Sequence, residues 1–256
     1  MNPALRRFLL PLAAFALFLA LWEGAARFFA IPAYLLPAPS AILVAGDKLG
    51  WALATNAAAT VMTILLGFGL AMVIGMPLGV LVSASPMAAE AIYPLLVFTH
   101  AIPIVAIAPV IIVIFGVDLA SRLIIVVLIT FFPIMVATAS GMLNAPQDMI
   151  ELARAAGATR IGEIWTVRIP HAVSFIFGGL RIGITVAAVG AVVSEFVSSE
   201  EGLGYLVVSA TTRFDVPMAM ASVVVLALTS VVLYQLVGAA QHAFFPWSIR
   251  SAEPAS

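Results

Sequence analysis

"ELARAAGATRIGEIWTVRIPHA", residues 151–172, is the least apolar long stretch of a very apolar chain. Its charged residues, Glu151, Arg154, Arg160, Glu163 and Arg168, all precede Pro170. The stretch divides in two. "NAPQDMIELARAAG" (144–157) opens on Asn144 and Pro146, suited to a cap and a first helical position. It places Asp148 and Glu151 early, where the helix dipole favours acids. Gly157 is the natural terminator, with a positive φ expected there. Beyond it, Ile161, Ile164 and Trp165 recur at i, i+3 and i+4, the spacing of one helix face. Pro170 should close this second short helix and start the next apolar run. The expected product is two short helices folded back at a glycine, presenting an apolar ridge. Physics alone leaves two readings of that ridge: a ligand for a groove on another protein, or a loop lying on a membrane surface.

Composition places the stretch. Of 256 residues, 64% are hydrophobic and 9% charged, with a mean hydropathy of +1.20. Soluble domains carry about 25% charged residues, so this surface must face lipid. Six runs reach the roughly 20 apolar residues that a crossing helix needs. They cover about 8–29, 57–83, 88–115, 120–143, 172–197 and 217–245. Arg6 and Arg7 precede the first run as in a signal peptide, but it is long and no clear small-residue cleavage site ends it, so a retained span is expected. Residues 28–56, with three prolines and an amphipathic second half, read as an interfacial segment. The expected fold is an all-α membrane protein: one domain, 1–256, of six transmembrane helices, with the loop at about 144–170 between spans four and five.

Several function classes drop out. Cysteine is absent, which removes disulfides and thiolate metal sites. His100, His171 and His242 lie too far apart for ligands on one element, so no metal site is expected. A net charge of −1 without a basic cluster gives no reason to expect a nucleic-acid partner. No Gly-x-Ser-x-Gly elbow or paired aspartates mark a catalytic residue. The sole lysine, Lys48, stands in "AGDKLG", so a phosphate-binding G-x-x-x-x-G-K-[ST] loop is impossible. If ATP drives this protein, its nucleotide site is on another chain. With six spans both termini share a side with the quoted loop. That side holds Arg6, Arg7, Arg154, Arg160, Arg168 and Arg250, against Arg27, Lys48, Arg122 and Arg213 opposite. The positive-inside rule then places both termini in the cytoplasm.

The quoted stretch resembles the coupling motif of ABC importer permeases: E-A-A, three residues, G, nine residues, I-x-L-P. Glu151, Leu152 and Ala153, then Gly157, then Val167, Ile169 and Pro170 occupy its positions, with Leu152 replacing the second motif residue. "YLLPAPSAIL", "IPIVAIAPVIIVIFG" and "EGLGYLVVSA" resemble the branch serving sulfonates, taurine, nitrate and thiamine or riboflavin precursors. "VAAVGAVVSEFVSSEEGLGYL" is more similar to the thiamine-pyrimidine and riboflavin-precursor members. The resemblance implies a permease subunit of the bacterial inner membrane with no catalysis and no cofactor of its own. It also implies partners: ABC ATPase subunits that bind the ATP, an external solute-binding protein and a second permease copy. It assigns ATPase coupling to Glu151, Ala153, Arg154, Gly157, Ile161, Ile164, Trp165, Ile169 and Pro170. The other classes are a self-powered secondary transporter or channel, for which only His100 offers a midplane ionisable group, and an intramembrane enzyme.

Inside the membrane, "HAIPIVAIAP" sets His100, Pro103 and Pro109 in the third span. Broken helices can line a pathway or serve packing alone; both readings stand. Glu195 closes span five beside Ser194, at the outer mouth of the pathway or at the water interface. Arg181 is expected to snorkel to the cytoplasmic face. The pairs Gly75/Gly79 and Gly179/Gly183 are expected to let helices of one subunit pack closely.

Overall fold

The computed structural model describes residues 3–250, without the side chains of 3–8, Ser198, Ile249 and Arg250. The side chains of Arg6, Arg7 and Arg250, used above for orientation, therefore lie outside the described residues. The chain is helical throughout, with no strand among the described residues. In order the helices are α1 (Pro3–Phe28), α2 (Pro39–Leu49), α3 (Trp51–Ala84), α4 (Pro86–Ala101), α5 (Ile104–Phe115) and α6 (Leu119–Leu143). They continue with α7 (Gln147–Ala155), α8 (Arg160–Glu163), α9 (Ile169–Ser198), α10 (Leu203–Thr212), α11 (Val216–Phe244) and α12 (Trp247–Arg250). A π-helical turn, Ile164–Arg168, joins α8 to α9.

The core is a trio of α3, α6 and α9 around Ile64, Phe68, Ile134, Ile176 and Ile184. Small residues permit the close approach. A Cβ on Gly75 would stand 2.7 Å from the Phe131 carbonyl, and one on Gly79 2.6 Å from Thr138. Gly179 and Gly183 face Ala137 and Ile134 from the other side. Both glycine pairs thus pack on α6 within the one chain.

The third apolar run is not one straight helix. α4 and α5 are bent by 94° at a break. Pro103 lacks an N–H and pushes its predecessor out of the α region, and Ile102 is extended at φ −75°, ψ 123°. Pro109 lies inside α5 without ending it. Whether the bent pair crosses or re-enters follows from contacts at the two ends of the bundle. The Arg160 guanidinium donates to the Ala84 carbonyl at the end of α3, and Arg168 to Met142 near the end of α6. At the opposite end, Asn56 near the start of α3 meets Gly202, and Arg122 near the start of α6 meets Ser199 and Glu201. So α3 and α6 run together and α9 runs back. The chain leaving Ala84 must reach Leu119 at the far end, and α4 with α5 makes that crossing. Five long apolar helices and this bent pair give six crossings.

α2 lies within the segment expected at the interface. Its first turn is tied to α1: the Ser40 N–H and hydroxyl both donate to Glu23, at 3.0 and 2.8 Å, and Arg27 pairs with Glu23 at 2.6 Å. Arg181, expected to snorkel, finds its partners on α11. Its guanidinium turns across to α11, donating to Gln241 Oε1 at 3.0 Å and lying over the Tyr234 ring at 5.7 Å. A partner within the bundle offsets the cost of keeping the charge there better than a stretched side chain would.

Candidate functional site

The loop between the fourth and fifth crossings is built by three local devices. Asn144 caps the end of α6, its amide donating to Ser140, and is not the cap of α7; Pro146 holds that position. α7 ends in a Schellman motif: the Gly157 N–H donates to Arg154 O and the Ala158 N–H to Ala153 O, both at 2.9 Å. Such a motif needs a left-handed residue, and Gly157 has φ +84°. Thr159 then caps α8, accepting from the Gly162 N–H at 3.2 Å.

Pro170 does not start a new helix. Helix continues from Arg160 to Val197. The π turn, whose Ile169 N–H reaches back to Ile164 O, carries the helix up to the proline. Wider i→i+5 pairing shifts the helix phase, and that changes which side chains share a face. Ile161 and Trp165 project outward, 70% and 67% exposed, and Leu152 joins them at 65%. Ile164 turns inward and packs against the core cluster. The large exposed apolar side chains of the loop are Met149, Leu152, Ile161 and Trp165, and Ile164 is not among them. Glu151, Arg154, Gly157 and Pro170 are exposed, while Ala153 and Ile169 are half-buried.

Beneath this ridge lies an ion cluster that sequence reading did not single out. Glu163 is 3% exposed. One of its oxygens takes Arg154 Nε at 2.8 Å; the other takes Arg168 through Nε at 2.7 Å and Nη2 at 2.6 Å. Glu163 and Arg168 are five residues apart, which an α-helical i,i+4 rule does not pair but a π turn aligns. With Arg160, Ser83 and Ala84 they line a cavity of about 420 Å³.

Across the bundle, the break forms a second feature. His100 stacks on Phe132 with centroids 4.3 Å apart and rings 16° from parallel. His100 and Pro103 line a cavity of about 230 Å³ with Ile104, Ile107, Leu128 and Ile129. Pro109 is exposed and lies off that lining.

Ser194 and Glu195 belong elsewhere. Both are buried, 0% and 2% exposed. Glu195 Oε2 accepts from the Gly204 N–H at 2.8 Å and from Thr60 Oγ1 at 3.1 Å. Thr60 in turn accepts from the Leu203 N–H, and Asn56 from the Gly202 N–H. Three consecutive N–H groups opening α10 are thus capped by side chains from α3 and α9, the groups a helix start leaves unpaired. Gly202, at φ +110°, and Gly204 permit this, since a Cβ on either would run into Glu195.

Comparison with known proteins matches this architecture. Residues 71–250 match the family described as the binding-protein-dependent transport system inner membrane component. A probable ABC transporter permease protein of Haemophilus influenzae is 35% identical, over 95% of this chain and 99% of its own. The formylaminopyrimidine transport permease protein of Halalkalibacterium halodurans is 33% identical, over 93% and 95%. The riboflavin transport system permease protein of Chloroflexus aurantiacus is 36% identical, over 90% and 87%. In fold the chain is similar to the inward-facing MetNI methionine ABC transporter, with a TM-score of 0.63 at 19% identity, over 75% of this chain and 98% of that one. The six-crossing chain with its exposed inter-span ridge belongs to the binding-protein-dependent inner-membrane components, the permease subunits of ABC importers.

Proposed function

We propose that this chain, as a pair of identical copies in the bacterial inner membrane, forms the path for a heterocyclic nutrient of the pyrimidine or flavin-precursor type. ATPase subunits grip the cytoplasmic ridge and carry the ATP, and an external binding protein delivers the solute. Both termini lie on the ridge side. The single observation that carries the coupling role is the ridge itself. Leu152, Ile161 and Trp165 stand out of a segment fixed by a Schellman turn, on the polar side of the spans. Large exposed side chains on a rigid element are the usual content of a protein-binding patch. His100 and Pro103, at the broken crossing, line the path. The solute class is supported by relatives: the pyrimidine and riboflavin permeases are 33% and 36% identical, the taurine permease of Escherichia coli 28%.

The test is co-purification of tagged permease with its ATPase from membranes, with uptake measured in parallel. Gly157→Val strains the left-handed position by about 1–3 kcal/mol and misaims the ridge, while the spans still insert. It should reach the membrane at normal levels and lose both ATPase and uptake. Trp165→Ala should weaken the same contact. Retention of the ATPase at wild-type ratio by both variants, with uptake intact, overturns the coupling role. A ligand screen of the partner binding protein that finds a sulfonate instead of a pyrimidine or flavin overturns the solute class.

A further inference from the structure

We propose that Glu163 is a positioning residue, the strut through which movement of α7 is passed to the membrane helices. The inference rests on the ATPase-coupled reading above and concerns how the push travels once the ridge is gripped.

Within the chain, α7 packs on α8 and the π turn. Two links hold it there. One is apolar: Ile150 is 1% exposed. The other is Glu163, whose two carboxylate oxygens serve two different elements. One oxygen holds Arg154 near the end of α7; the other holds Arg168 at the end of the π turn. Arg168 also donates to Met142 O at 3.4 Å, and Arg160, three residues before Glu163, donates to Ala84 O at 2.7 Å. A displacement of α7 therefore reaches α9 through Glu163, and α3 and α6 through the two arginines. These are the three helices of the core.

The geometry separates the two links by what they can transmit. Burial of Ile150 keeps α7 in place but is non-directional. Charge-assisted hydrogen bonds to a carboxylate are short and fix orientation. The π turn is the one place along Arg160–Val197 where the regular i→i+4 pattern is interrupted, and such turns bend more readily than α-helix. Without the strut, α7 remains docked through Ile150 but yields at that turn when pushed.

The experiment uses the full complex of permease, ATPase and binding protein in proteoliposomes. It measures ATPase stoichiometry and solute imported per ATP hydrolysed. Glu163→Gln and Arg168→Gln should keep the stoichiometry. Import per ATP should fall about tenfold, a coupling loss of ordinary size. Arg168→Lys, which keeps the charge, should recover part of it. Import per ATP at the wild-type value in both variants overturns the strut, and so does a fall in uptake that only follows lost ATPase. Should Glu163→Gln not fold, Arg168→Gln decides alone, since Arg154 still pairs with the Glu163 carboxylate there. A wild-type chain that recruits no ATPase overturns instead the function on which the strut rests.

Discussion

The long helix entering the fifth crossing has a buried glutamate at each end, and the two are held by opposite means. Glu163, before the π turn, lies between two guanidiniums, one of them largely exposed. Glu195, near the other end, is held by a threonine hydroxyl and a glycine N–H, with Oε1 unpartnered. The first arrangement suits a polar edge, where long arginines reach their partner at little desolvation cost. The second suits a site sealed from solvent, where each added charge is expensive and backbone donors at a helix start come free. One end is a joint between elements that can move; the other locks α10 onto α3 and α9.

The lock should be the more fragile of the two. Gly202→Ala places a methyl against the Glu195 carboxylate at a φ of +110°. Strain and overpacking together should cost about 3 kcal/mol or more. Thermal unfolding of the detergent-purified protein checks it. Pairing it with Glu195→Ala should recover part of the loss, because the clash is removed while the backbone strain remains. A double variant no more stable than Gly202→Ala alone would show that the two residues do not meet as described.

Glu195→Ala by itself leaves the Gly204 N–H and the Thr60 hydroxyl short of an acceptor, at about 1–3 kcal/mol. Glu195→Gln keeps an acceptor oxygen for both and should stay within about 1 kcal/mol of wild type. If Gln proves as damaging as Ala, the negative charge holds this end, and the contrast with Glu163 disappears.

How much of this was visible in the sequence depends on the range of the forces involved. Hydropathy and proline position are local, so the six crossings and the disrupted third run were legible. So was the left-handed Gly157, because helix termination is decided within a few residues. Ile164 was misplaced on the ridge because a face argument assumes α-helical phase, and the π turn changes it. Arg181 was expected at the cytoplasmic face; its partners Gln241 and Tyr234 lie more than fifty residues on. Glu195 was expected at a mouth or an interface for the same reason. Thr60 is 135 residues away, and nothing in a single sequence pairs them. The glycines of "EGLGYL" carried a resemblance whose physical content, room for a carboxylate, emerges only when α9 and α10 are brought together.

The smallest effect separates the two ends most sharply. Arg154→Ala removes a partner of Glu163 from a side chain that is 61% exposed. Exposed partners contribute about 0–1 kcal/mol after screening and side-chain entropy. Arg168 still neutralises the carboxylate through two bonds at 2.7 and 2.6 Å. Unfolding midpoints of Arg154→Ala should therefore sit close to wild type, and raising the salt concentration should narrow the remaining gap. A loss as large as that of Glu195→Ala would mean that Arg154 holds the fold together at the loop. The loop end would then be a lock like the far end, and its arginines would have no claim to act as a moving joint.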